Sequence, residues 1–187
     1  MSRREAKRHY LLTDSTPVTN NDDLDARLGK LLDAKMHGIA FSAYAEGQKP
    51  GDELSRDQIE RRMAIIAPHF NWIRSFSVTA GNELIPSVAK SRGLKTLVGA
   101  WLGTDPKKNR QEMDSVMALA HEGHVDVAAV GNEVLYRGDL TEVQLLDFMA
   151  EARERLPTEV PMGYVDAYYE FEDRPAVTSA CDVLLSN

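Results

Sequence analysis

With a single cysteine, Cys181, this chain of 187 residues cannot form an internal disulfide, so no covalent staple holds the fold. No apolar run approaches the roughly 20 residues that a membrane-spanning helix needs, and no membrane partner is expected. The basic opening Met1-Ser2-Arg3-Arg4-Glu5-Ala6-Lys7-Arg8 carries the charge of a signal-peptide n-region. The apolar residues that follow, Tyr10-Leu11-Leu12, are too few for an h-region. As written the chain reads as cytoplasmic; if a leader or a larger parent protein is missing, it reads as periplasmic or secreted. No cluster of lysine and arginine lies beside aromatics, and the net charge is −7, which argues against a nucleic-acid surface. No glycine-rich phosphate loop opens a helix, and His9, His37, His69, His121 and His124 are scattered, so neither a cofactor nor a metal site is expected.

What is present is an ordinary globular composition, 43% hydrophobic and 27% charged, sufficient for one core. Residues 1 to 21 form a polar, turn-rich arm; residues 22 to 187 carry the pattern of the domain. Asp22 or Asp23 can cap a helix bearing Leu24, Leu28, Leu31 and Leu32, placed to cover the bottom of a barrel. After it, six apolar runs read as strands: 37–42, 72–77, 94–101, 125–131, 160–165 and 182–185. Helical patterns with recognisable ends lie between them. Ser55-Arg56-Asp57-Gln58 and Thr141-Glu142-Val143-Gln144 are capping boxes, Asp105-Pro106 is an N-cap followed by proline, and Asn82 can cap the helix through Ile85, Val88 and Ala89. Repeated βα units of this spacing predict a parallel sheet, either a barrel or a doubly wound layer.

The fourth run, Val125 to Val130, ends in Gly131-Asn132-Glu133. An amide and a carboxyl at the C-terminal end of a buried parallel strand stand where a βα barrel keeps its active site, although an acid opening a loop is also an ordinary solvated residue. Gly38-Ile39-Ala40-Phe41-Ser42-Ala43-Tyr44, Ile73-Arg74-Ser75-Phe76, Val98-Gly99-Ala100-Trp101 and Val130-Gly131-Asn132-Glu133-Val134-Leu135 follow one another in that order. Together they resemble the first four strand ends of the glycoside hydrolase family 17 β-1,3-glucanases. Residues 160–166 and 181–187 are similar to that family's fifth and sixth strands, so the resemblance covers residues 38 to 187. It implies an α/β fold of the (β/α)8 TIM-barrel type. Such a barrel takes about 250 residues, so the chain is read as truncated after about the sixth strand. On that reading the seventh strand, which carries the nucleophilic glutamate in that family, lies outside the chain; the alternative is a complete chain that closes as an open sheet.

The resemblance implies a retaining glycoside hydrolase acting on β-1,3-glucan, or a closely related glucanosyltransferase; a non-catalytic glucan-binding fragment is the other reading. Retention needs two carboxyl groups about 5–5.5 Å apart. By its match to the motif Glu133 is the acid/base, and Asn132 would bond the sugar hydroxyl next to the anomeric carbon. Arg74 faces the barrel interior if Ile73 and Ser75 face the helices, and its partner is either the absent nucleophile or a core acid, Glu83 or Asp166. Tyr44, Trp101, Tyr136, Tyr168, Tyr169 and Phe171 stand at or just past strand C-termini, where aromatic faces stack on pyranose rings or simply pack the barrel top. Gln48, Asp166 and Asn187 are the polar neighbours expected to read hydroxyls. Open barrel edges imply self-association or a complementing C-terminal fragment.

Overall fold

The computed structural model describes residues 21–187. Helix α1 (Asn21–Asp33) belongs to a unit ending at Ala34 and is described by itself. Asp22 and Asp23 fall in its first turn rather than before it, and Leu24, Leu28 and Leu31 are all exposed. The polar arm expected over residues 1 to 21 lies, except for Asn21, outside the described residues.

From Lys35 onward the chain alternates without interruption. The order is β1 (Met36–Ala40), α2 (Arg56–Ile66), β2 (Phe70–Ser75), α3 (Leu84–Ser91), β3 (Lys95–Ala100) and α4 (Pro106–His121). There follow β4 (Val127–Asn132), α5 (Glu142–Arg155), β5 (Met162–Asp166), the short α6 (Tyr169–Glu172) and α7 (Pro175–Ala180), and β6 (Val183–Ser186). The six strands pair in sequence order, every pair parallel, so each βα unit lies beside the one before it. This is the α/β architecture of a TIM-type barrel, here an open six-stranded sheet with β1 and β6 at its edges.

Strand alternation sorts the side chains. Ile73 and Ser75 on β2, Val98 and Ala100 on β3, Ala128 and Val130 on β4, and Met162 and Tyr164 on β5 are buried toward the helices. Their neighbours Arg74, Leu97, Ala129 and Val165 occupy the opposite, inner face. The helix-side residues form two apolar clusters. One gathers α2, α3, β2 and the β1 loop around Ile59, Met63, Ile73 and Ile85. The other gathers α4, α5 and β3 to β5 around Met113, Leu145, Met149 and Tyr164.

The helix ends follow the sequence chemistry in part. The Asp105 side chain accepts from the N–H groups of Lys107 and Lys108, and Thr141 and Gln144 complete a reciprocal capping box. At α2 only half a box forms. Ser55 Oγ accepts from Gln58 N–H, but the Gln58 amide turns away and donates to Ala43 O and Gln48 Oε1, both at 2.6 Å. Asn82 is not the cap of α3; Glu83 takes that position without a side-chain bond, and Asn82 donates to Tyr44 Oη at 3.1 Å and Thr79 O at 2.9 Å.

Glu112 is the unexpected core residue. It sits on the buried side of α4, fully enclosed, beside Met113 and Val116. Its carboxylate accepts from Ser77 Oγ at 2.5 Å, Thr79 Oγ1 at 2.7 Å, Val78 N–H at 3.0 Å and Trp101 N–H at 3.1 Å. Four donors replace its lost hydration and tie the loop after β2 to the end of β3. In E112Q one oxygen becomes a donor facing donors. Urea unfolding should show a loss of about 3 kcal/mol with an unchanged m-value. A midpoint equal to wild type would mean that this tie carries no stability.

Candidate active site at the strand C-termini

Parallel pairing brings all six strand C-termini to one end, and the end of β4 determines what is presented there. Its register against β5 shifts between Ala129 and Asn132, a bulge at which Gly131 takes φ +88°. A Cβ on Gly131 would also meet the Tyr164 ring at 3.3 Å. The bulge turns Asn132 to the inner face, where its Oδ1 accepts from Arg74 Nη2 at 2.5 Å. Glu133 follows at φ +53°, a left-handed conformation uncommon outside glycine, and its N–H donates to Val165 O at 2.7 Å. Its Oε1 accepts from Asn187 Nδ2 at 2.6 Å, past the end of β6.

Arg74 is half-buried, facing inward, with its guanidinium carbon 4.7 Å from the centroid of the Phe76 ring. Burial draws its pKa below the ordinary arginine value, and the charge of Glu133 acts in the opposite direction. Neither Glu83 nor Asp166 is its partner. Asn132 takes the hydrogen bond and Glu133 supplies the nearby negative charge.

Asp166, expected to read sugar hydroxyls, is fully buried. Its Oδ2 accepts from Tyr164 Oη and from Tyr136 N–H at 3.3 Å, and its Oδ1 from Ala167 N–H at 2.8 Å. Tyr164 Oη in turn accepts from Leu135 N–H at 3.0 Å. The pair thereby anchors the turn that follows Glu133, and this commitment leaves Asp166 no exposed oxygen for a ligand. Gln48 is similarly committed, its Oε1 accepting from Ala45 N–H at 2.7 Å and from Gln58.

The aromatics fall into two groups. Tyr44 and Trp101, joined by Phe41 and Phe76, line a cleft of about 770 Å³ over the ends of β1 to β3, with Asn82 and Lys107 at its polar margin. Tyr136, Tyr168 and Tyr169 form an exposed set beyond β4 and β5, with ring centroids 6.3 Å and 5.3 Å apart for the two pairs. Asn132, the last residue of β4, and Glu133, which follows it, lie between the two groups. Phe41, Phe76, Glu112 and Tyr164 were not singled out in the sequence. The first two each lie one residue past a strand, near the C-terminal ends of the apolar runs 37–42 and 72–77, and that position was the available signal. Among the described residues no group of three or more His, Cys, Asp or Glu side chains is placed to hold a metal ion.

The model of the BtgE/BtgC glycoside hydrolase domain matches residues 38–187. The chain belongs to that family. A glucan 1,3-beta-glucosidase of Arthroderma benhamiae is 28% identical over 140 residues, covering 71% of this chain and 44% of the relative. One from Schizosaccharomyces pombe is 28% identical over 135 residues, covering 66% and 42%. The chain thus spans less than half the length of these relatives. An active-site mutant of a Rhizomucor miehei beta-1,3-glucanosyltransferase, solved with laminaritriose, superposes with a TM-score of 0.69 at 24% identity. That match covers 83% of this chain and 57% of the other, and it bears on the fold. The resemblance to β-1,3-glucanases read from the strand ends therefore stands.

Burial and the bond to Asp166 push the Tyr164 phenol well above its ordinary value. A proton held more tightly in the folded state stabilises it fully below the unfolded pKa of about 10, and that contribution is lost as pH rises further. Y164F should cost about 1–3 kcal/mol at pH 7, because Leu135 N–H loses its acceptor. It should also flatten the alkaline fall of stability above about pH 10. Thermal unfolding from pH 7 to 11 checks both, and an unaltered alkaline limb would detach Tyr164 from it.

Proposed function

We propose that this chain builds the acid/base half of a retaining β-1,3-glucan-active site. The observation that carries the reading is the inward Asn132-Glu133 pair, held between Arg74 and Asn187 and flanked by aromatic groups on both sides. Glu133 serves as general acid toward the glycosidic oxygen and then as base toward the incoming hydroxyl, from water in a hydrolase or from a sugar in a transferase. Asn132 has its oxygen on Arg74, which leaves its amide N–H groups to bond the hydroxyl beside the anomeric carbon. That bond strengthens as the oxocarbenium-like transition state forms. A glucan lying across the strand ends would use the Tyr44–Trp101 cleft on one side of Glu133 and the tyrosine set on the other. The names of the relatives, glucan 1,3-beta-glucosidases, support the linkage.

E133Q tests the assignment. In a protein that also supplies the second carboxylate, cleavage or transfer on laminari-oligosaccharides should fall by about 10²–10⁴-fold, the usual contribution of general acid catalysis. Laminaritriose binding to the present chain should change little. An unchanged rate would remove Glu133 from the chemistry; absent binding in wild type would remove the glucan.

The sheet edges support a second proposal, that the chain self-associates or accepts a complementing segment. Val183 and Leu184 on β6 are exposed, and β1 is largely open to solvent. Sedimentation velocity should show species larger than the 20.8 kDa monomer. A single monomeric boundary at micromolar concentration would rule out self-association.

A further inference from the structure

Arg137 has no place in the reading above, yet its guanidinium reaches three acceptors and one ring at the centre of the site. Its Nε donates to Asp139 Oδ2 at 2.6 Å, its Nη2 to Leu102 O at 3.0 Å, and its Nη1 to Asn132 O. Its guanidinium carbon lies 4.7 Å from the centroid of the Trp101 ring. Asn132 O and Glu133 N–H belong to one peptide unit. Arg137 holds the oxygen, and Val165 O holds the nitrogen from the opposite strand at 2.7 Å. Rotation of that unit is the motion that would relieve the positive φ of Glu133, and both ends of it are tied.

We propose that Arg137 is a positioning residue that couples the Trp101 platform to the peptide plane carrying Glu133. A planar fork is required because three acceptors in different directions and an aromatic face are engaged together. A lysine ammonium on a flexible stem can serve one or two of them and does not stack as a plane. The guanidinium thus sets two things at once: the tilt of the indole over which a sugar ring would lie, and the direction in which the Glu133 carboxyl leaves the strand. Asp139 orients the fork and balances its charge. The consequence for catalysis rests on the glucan reading given above; the coupling itself does not.

R137K in the full chain is the test, made in a W72F background, because the chain has two tryptophans and Trp101 then reports alone. The expected result is a shift in Trp101 emission with stronger acrylamide quenching. Laminaritriose affinity should weaken by about tenfold, the order expected for a lost cation–ring contact and its geometry. In a protein supplying the second carboxylate, kcat should fall as well as affinity. D139A, which keeps the guanidinium and removes its orienting acceptor, should reproduce the emission change and provides the reading if R137K fails to fold. Wild-type emission, quenching and affinity in a folded R137K would overturn the proposal, as would a lowered Tm accompanied by wild-type emission. An emission change in a protein that binds no laminaritriose supports the coupling and removes only the glucan reading.

Discussion

The bulge at the end of β4 is the constraint on which the site depends. Without the extra residue, strict alternation would leave Asn132 on the same face as Ala128 and Val130, toward the helices. Gly131 absorbs the turn at φ +88°, and the residue after Asn132 then emerges in a left-handed conformation. Strain of that kind costs on the order of 1–3 kcal/mol and persists only where surrounding bonds over-determine it. Here they do: Val165 O, Arg74, Arg137 and the Tyr164–Asp166 pair each fix a different atom within five residues of Gly131.

The anchors differ in chemistry according to where they lie. On the helix side of the sheet, Tyr164 and Asp166 occupy a fully buried position and meet the turn through neutral N–H groups of Leu135 and Tyr136. On the open inner side the ties are guanidinium groups, each stacked on an aromatic ring: Arg74 on Phe76 and Arg137 on Trp101. Stacking shields a cation on one face while leaving its in-plane donors free, which suits a half-solvated groove better than a buried ion pair would.

Much of the fold was legible because parallel strands buried on both faces read as apolar runs and because helix caps have local chemistry. All six strands were found within two residues of their ends, as were the Asp105 and Thr141 caps. Tertiary demands obscured the rest. Asn82 and Gln58 have the sequence positions of capping residues, but each serves a loop more distant in sequence, and nothing local reveals that competition. Asp166 was placed at the rim because it ends a strand; its direction depends on strand parity relative to Tyr164. Glu112 falls on the apolar side of α4, and a periodicity count treats one acid there as a flaw in the stripe. The inward face of Arg74 followed from strand alternation against Ile73 and Ser75, whereas Arg137 lies in a turn and carries no pattern.

The position of the groove follows from how the core is divided. One apolar cluster supports β1 and β2, and the other supports β3 to β5. The cleft opens over the seam, with Phe41 and Tyr44 contributed from one side and Trp101 from the other. At the strand C-termini that seam is crossed by Val78, which packs into the second cluster, and by polar side-chain ties, Glu112 to residues 77–79 and Arg74 to Asn132. Hydrogen bonds are directional where apolar packing is not, so they can fix the relative placement of two packed units to within a fraction of an ångström. The sugar-binding floor proposed above, assembled from both sides of the seam, would need that precision more than additional buried area. Glu112, a fully buried carboxylate beside the groove, therefore stabilises the fold and sets the geometry of the groove through the same four bonds.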